Sequence, residues 1–218
     1  MYTDASECRN LINNEITELI WNKTASIKYQ PYSYSKTLAE KEAWSLYKKQ
    51  SKWELIVINP SLVLGPFPNA THTKSESINL LKQIGDGTFK IGLPKMTIGV
   101  VDVRDVADAH YEAAFNINAS GRYITSAYNT SFLEISKLLY SEFGDSFPIP
   151  KRPLPKGLVY LIGPLLNKAL NRKYISNNFN QDFRANNDKI KIELGLNFRP
   201  LKQTLVESFQ SLIDQKII

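Results

Sequence analysis

The stretch Trp53-Glu54-Leu55-Ile56-Val57-Ile58-Asn59-Pro60 decides the fold. Its continuous aliphatic run is what a strand buried on both faces of a parallel sheet requires, and Pro60 ends it. Just before it, Leu38, Ala39, Glu42, Ala43 and Leu46 fall at three-and-four spacing opposite Lys41, Lys48 and Lys49. That pattern predicts a helix beginning near Ser33 or Ser35, running through Trp44 to Lys49, and packing its apolar stripe on a sheet. A helix followed by a buried strand is the pattern of an α/β fold with a parallel sheet.

The same helix carries Tyr32 and Lys36. Residues four apart stand one above the other on a helix, so a phenol and an ammonium are neighbours. A free phenol lies about 3 pH units, or roughly 4 kcal/mol, from ready proton exchange at neutrality. One ammonium at about 4 Å and an effective dielectric near 20 supplies on the order of 4 kcal/mol, so the pair can act as a general acid or base. With 11 Tyr in 218 residues the spacing also arises by chance, and an ordinary aromatic–cation pair on a helix face satisfies it equally. Tyr34, two positions on, points to another face and reads as a packing residue.

Outward from this centre, Ser75-Glu76-Ser77 reads as a helix start and Gly85-Asp86-Gly87 as its stop. Ile98 to Asp102 reads as an apolar strand, with Asp105 expected to cap the next helix and Val106, Ala109, Ala113 and Ala114 to form its buried face. His110 follows that pattern as a packed or hydrogen-bonded histidine, and His72 as a solvated loop residue. Gly121 to Ser126 predicts another strand and Ser131 to Phe143 a helix, both returning to the main sheet. Phe147 to Lys156 is a Pro-rich connector and no sheet element; Gly157 to Leu170 is an apolar helix broken by Pro164, with Lys168 among the cations after that break. Asn186 to Leu194 reads as a capped helix stopped by Gly195, and Leu201 opens the last helix. The polar opening, Met1 to Lys28, contains no expected strand.

The chain is 43% hydrophobic and 22% charged, ordinary for a globular protein with one sizeable core. Its net charge of +6 is scattered, without the clustered basic and aromatic pattern of a nucleic-acid surface. A phosphate-bearing cofactor is the more economical anionic partner. A single Cys8 permits no internal disulfide, and with only two His no cluster has metal-ligand spacing. No apolar run reaches the length of a membrane span, so a cytoplasmic location is expected.

Three segments in order carry a resemblance: Tyr32-Ser33-Tyr34-Ser35-Lys36 with Ala39-Glu40 and Ala43-Trp44, then Asn59-Pro60-Ser61-Leu62-Val63-Leu64-Gly65-Pro66, then Val100 to His110. Together they resemble the extended short-chain dehydrogenase/reductases, the NAD-dependent epimerase/dehydratase superfamily, in its dihydroflavonol-reductase-like branch. The resemblance implies the carboxy-terminal part of a Rossmann-like doubly wound parallel sheet with a mostly helical substrate lobe. Residues 1–66 would form a partial dinucleotide-binding domain and 67–218 the lobe, with 98–127 returning to the sheet. It implies an NAD(P)-dependent reductase of an aldehyde or ketone, NADPH favoured over NADH, acting on a small-molecule carbonyl substrate. Tyr32 would exchange the proton, Lys36 would hold the nicotinamide ribose, and Pro60, Leu62 and Val63 would run beneath the nicotinamide. A homodimer is compatible with the family.

Two family features have no counterpart here. No stretch fits Gly-x-Gly-x-x-Gly, and the Ser expected some 25 to 35 residues before the Tyr has only Ser6, which no apolar strand precedes and which reads better as a turn or cap hydroxyl. Weak or no NAD(P) binding by this chain is therefore expected. A nucleotide-sugar epimerase or dehydratase, or a non-catalytic protein, are the alternative readings.

Overall fold

The structure is a computed structural model that describes residues 4–68, 75–166 and 170–218, so His72 and Lys168 lie outside the described residues. The chain opens with two 3₁₀ turns, Ala5–Asn10 and Ile12–Asn14, then strand β1 (Glu15–Ile16) and helix α1 (Pro31–Tyr47). Strands β2 (Ile56–Pro60) and β3 (Leu62–Leu64) follow, then α2 (Glu76–Gly85), β4 (Leu93–Pro94) and β5 (Thr97–Asp102). Helix α3 (Val103–Phe115), strands β6 (Gly121–Thr125) and β7 (Tyr128–Ser131), and helix α4 (Phe132–Phe143) complete the central part. The remainder comprises β8 (Pro153–Leu154), α5 (Lys156–Leu166), α6 (Arg172–Asn178), β9 (Arg184–Ala185), α7 (Asp188–Leu194) and α8 (Leu201–Asp214).

The sheet is built on one forked strand. β2 pairs in parallel with β6 from Ile56↔Gly121 to Pro60↔Thr125, and β3, one residue later, pairs in parallel with β5 from Leu62↔Val100 to Leu64↔Asp102. Ser61 is where the chain changes partner, and its amide still donates to the Thr125 carbonyl at 3.1 Å. β7 adds antiparallel to β5.

The largest core gathers Leu64, Val100, Leu81, Ile84, Leu139 and Phe209, so α2, α4 and α8 bury their apolar faces against β3 and β5. Each such side chain contributes roughly 1.5–3 kcal/mol by leaving water. A second core packs Ala109, Ala113, Tyr123, Ile190 and Leu194, fixing α3 and α7 on β6. A third joins α5 and α6 through Val159, Ile175 and Phe179.

Several expectations need correction. The apolar stripe of α1 does not face the sheet: Ser33, Thr37 and Glu40 are its buried residues, whereas Leu38 is 47% and Leu46 52% exposed. The reason is the ion pair of Glu40 with Arg122 at 2.6 Å, which turns the polar side of the helix inward. β2 is half-buried throughout and has a ladder partner on one edge only among the described residues. Asp102, not Asp105, caps α3, accepting from the Arg104 amide at 2.8 Å. Asp105 is instead buried in the first turn, paired with Arg199, and Ala114 is exposed. Two-residue ladders also form where none was expected, β1 with β9 and β4 with β8. α5 continues past Pro164 to Leu166. The helix starts and stops at Ser75, Ser131 and Gly195 agree with the sequence reading. Among the described residues no helix is long and apolar enough to cross a membrane.

Candidate active site

Contacts at its two ends fix the direction of α1. Near its carboxyl end, Tyr47 donates to Glu54 at 2.5 Å and its ring meets Trp53 at 5.8 Å, just ahead of β2. At mid-helix, Glu40 accepts from Asn59 at 3.2 Å, near the end of β2. The helix therefore runs antiparallel to β2. Tyr32 lies eight residues before Glu40, about 12 Å further along the axis at 1.5 Å per residue. It overhangs the carboxyl ends of the parallel strands, where open α/β sheets bind their ligands. Tyr32 is 64% exposed, and the Lys36 ammonium stands 5.6 Å from its ring centroid, so the four-residue spacing does place them together.

Beside Glu40, where β2 ends, is the fork. Asn59 Oδ1, Ser61 Oγ, Thr125 Oγ1 and Ser126 Oγ are buried without a hydrogen-bond partner, all at the point where β3 departs from β6. Gly99 makes the crowding there visible: a Cβ on it would lie 2.4 Å from Ser126 Oγ and 2.8 Å from Ser61 Cβ. Pro60, Leu62 and Val63 belong to this segment, pairing with Thr125, Val100 and Val101. Unmatched buried polar atoms are costly, and their concentration at a strand-end fork fits a polar planar group such as a carboxamide. The residues present fit the nicotinamide end of a dinucleotide; they include no glycine-rich turn for its pyrophosphate.

The lead-in to α1 holds a feature that the sequence reading missed. Asp4 is fully buried, and its carboxylate accepts from Tyr29 Oη at 2.9 Å, Gln30 Nε2 at 2.8 Å, Asn177 Nδ2 at 3.0 Å and Asn178 Nδ2 at 2.6 Å. Burial and the facing Asp4 carboxylate push the Tyr29 phenol up, though the hydrogen bond with Gln30 works against them. Gln30 is left-handed, with φ 52° and ψ 58°, and Pro31 follows it as the first helical residue. A polar loop with one Asp carries no sequence signal for such a cluster, because its partners lie up to 174 positions away.

The other candidates are peripheral. Ser6 sits half-buried in the first 3₁₀ turn. His110 is exposed, its Nδ1 2.8 Å from the Val106 carbonyl. A cavity of about 320 Å³ opens beside the start of α1, lined by Lys28, Tyr29, Gln30, Pro31, Leu170, Asn171 and Tyr174. A larger groove of about 610 Å³, lined by Trp21, Trp44, Arg122 and three lysines, lies along the far half of α1, away from Tyr32.

Residues 22–129 match the model of the NAD dependent epimerase/dehydratase family. With that match and its similarity to reductases of the dihydroflavonol-reductase-like branch, the chain belongs to this family. It is 31% identical over 214 residues to cinnamoyl-CoA reductase 2 of Medicago truncatula, covering 97% of this chain and 55% of that protein. To cinnamoyl-CoA reductase 2 of Arabidopsis thaliana it is 36% identical over 184 residues, covering 83% and 47%. The chain thus spans about half the length of the curated relatives it matches. Among solved structures, Gre2 of Candida albicans in complex with NADPH superposes with a TM-score of 0.68 at 25% identity, covering 93% of this chain and 58% of that one. The fold is that of Rossmann-like reductases.

Proposed function

We propose that the protein carrying this chain is an NAD(P)-dependent reductase of a small aldehyde or ketone, with NADPH preferred. The observation that carries this reading is the Tyr32–Lys36 pair, ring and ammonium 5.6 Å apart, at the start of a helix antiparallel to β2, which puts the pair toward the carboxyl ends of the parallel strands. The names of its relatives, cinnamoyl-CoA reductases and a reductase solved with NADPH, support the same chemistry. The reduced nicotinamide, when bound, supplies a hydride to the carbonyl carbon. Tyr32 donates its phenolic proton to the carbonyl oxygen, and Lys36, beside it, stabilises the phenolate left behind until water restores the proton. Lys36 would also hold the ribose, and Pro60, Leu62 and Val63 would line the nicotinamide side. The substrate enters from the side of residues 67–218, with 98–127 counted as sheet, and 1–66 forms the dinucleotide-facing part.

The test is NADPH and NADH consumption by the purified full-length protein that carries this chain, with a panel of aromatic and aliphatic aldehydes and ketones. Carbonyl-dependent consumption that disappears in Tyr32→Phe is expected. No consumption with any of them would refute the assignment.

A further inference from the structure

We infer that Asp4 is a positioning residue that sets Tyr32 against helix α6. Its carboxylate is buried amid neutral donors and has no ion-pair partner among the described residues; Lys173 sits over the Tyr29 ring at 4.2 Å but does not pair with Asp4. Burying an ionised carboxylate is expensive, and four charge-assisted hydrogen bonds offset that cost only while all four donors are held in place. Those donors come from two parts of the chain. Tyr29 and Gln30 are the two residues that lead into α1, and Asn177 and Asn178 close the last turn of α6. Asn178 answers in kind, its Oδ1 accepting from the Ala5 amide at 3.1 Å.

The backbone makes the coupling specific. A left-handed conformation is unfavourable for a non-glycine residue, and Gln30 adopts it with its side chain tied to Asp4. Pro31 then fixes φ for the first helical residue, and Tyr32 comes next. The direction in which α1 leaves the loop, and so the place of the Tyr32 hydroxyl, depends on the hydrogen bond between Gln30 and Asp4. A shift of α6 is carried to Tyr32 through the same carboxylate.

This inference rests on Tyr32 being the proton donor, and the experiment separates the two. Asp4→Asn keeps the shape but replaces one acceptor oxygen with a donor: at Oδ2 the amide faces the donor of Asn177, and at Oδ1 it faces those of Gln30 and Asn178, so either way the cluster loses an acceptor it needs. Expected are a fall in kcat of about tenfold or more with the KM for carbonyl substrate and the Kd for NADPH within about twofold. Amide hydrogen exchange should rise about tenfold in residues 28–36 and 172–178 while α8 is unchanged. Gln30→Ala, at a half-buried site, should reproduce the kcat loss and the faster exchange of 28–36 in weaker form, and it decides the matter if Asp4→Asn does not fold. Unchanged kcat and exchange in the variant that folds, beside an inactive Tyr32→Phe, would overturn the role of Asp4 alone. Near-normal turnover in Tyr32→Phe would remove the proton-donor reading, leaving the exchange result to judge the hub.

Discussion

Tyr32→Phe removes one oxygen from a side chain that is already largely in solvent. It should lower kcat by about 100-fold or more with the NADPH dissociation constant nearly unchanged, whereas Lys36→Met should harm both, since one ammonium serves proton transfer and ribose binding. Tyr34→Phe is the internal control, and equal damage there would show that the spacing argument chose the wrong phenol. Cys8 offers a second test at this scale. Burial, followed by the nearby Glu7 and Asp4 carboxylates, pushes its thiol up to about 11. A thiol reagent at neutral pH should therefore react slowly with the folded chain and fast after unfolding, and rapid native labelling would show that the opening 3₁₀ turns come away readily. The Tyr32–Lys36 pair was legible because a four-residue spacing is a local rule. Asp4 was not, because each of its donors arrives from outside its own segment.

Among the elements, α1 departs furthest from what its pattern implied. Periodicity identified the helix and its approximate limits but selected the wrong face, because hydropathy cannot register a buried ion pair between Glu40 and Arg122 whose side chains are only 7% and 10% exposed. Arg122→Met leaves Glu40 buried and uncompensated and should cost about 3–5 kcal/mol, measured by denaturant unfolding. A loss below about 1 kcal/mol would show that the pair is solvated in practice. The α3–α8 junction was half legible in the same way. Asp102 and Asp105 were both visible, but which one capped the helix depended on Arg104, Thr204 and Arg199. Burial works to raise the Asp102 carboxyl, yet hydrogen bonds from Arg104 and Thr204, together with the Arg104 charge, hold it below the ordinary range. Its stabilising effect is thus present above about pH 4 and is lost as pH falls through its folded value. Asp105 goes the other way, pushed up by burial despite Arg199, so protonating it in acid does not weaken the fold. Asp102→Asn should cost about 1–3 kcal/mol at neutral pH, and the gap from the unsubstituted protein should close in acid. A gap that persists at low pH would mean that shape, not charge, is what Asp102 contributes.

For the molecule as a whole, the exposed apolar residues are the clearest feature. Leu38, Leu46 and Trp53 lie open around α1, and Tyr111 and Phe115, their tilted rings 4.8 Å apart, lie open on α3. With one edge of β2 unpaired among the described residues, these surfaces favour association. Gel filtration across a concentration series should show self-association that Leu38→Glu and Leu46→Lys together reduce, and a monomer at every concentration would contradict this. Sequence order predicted β2, β5 and β6, and it missed the two-residue parallel strands β1, β4, β8 and β9, which are too short to carry a pattern. It gave no hint that one run would serve two neighbours in succession. That fork makes Pro60–Ser61 the seam between two cooperative units, one built on β6 with α3 and α7, the other on β5 with α2, α4 and α8. Each side keeps its own apolar core, and the two are tied across the seam by Arg104 of α3 with Glu207 of α8 and by Thr204 of α8 with Asp102. The unpartnered hydroxyls of Ser61, Thr125 and Ser126 lie along that seam, where the ladder changes hands.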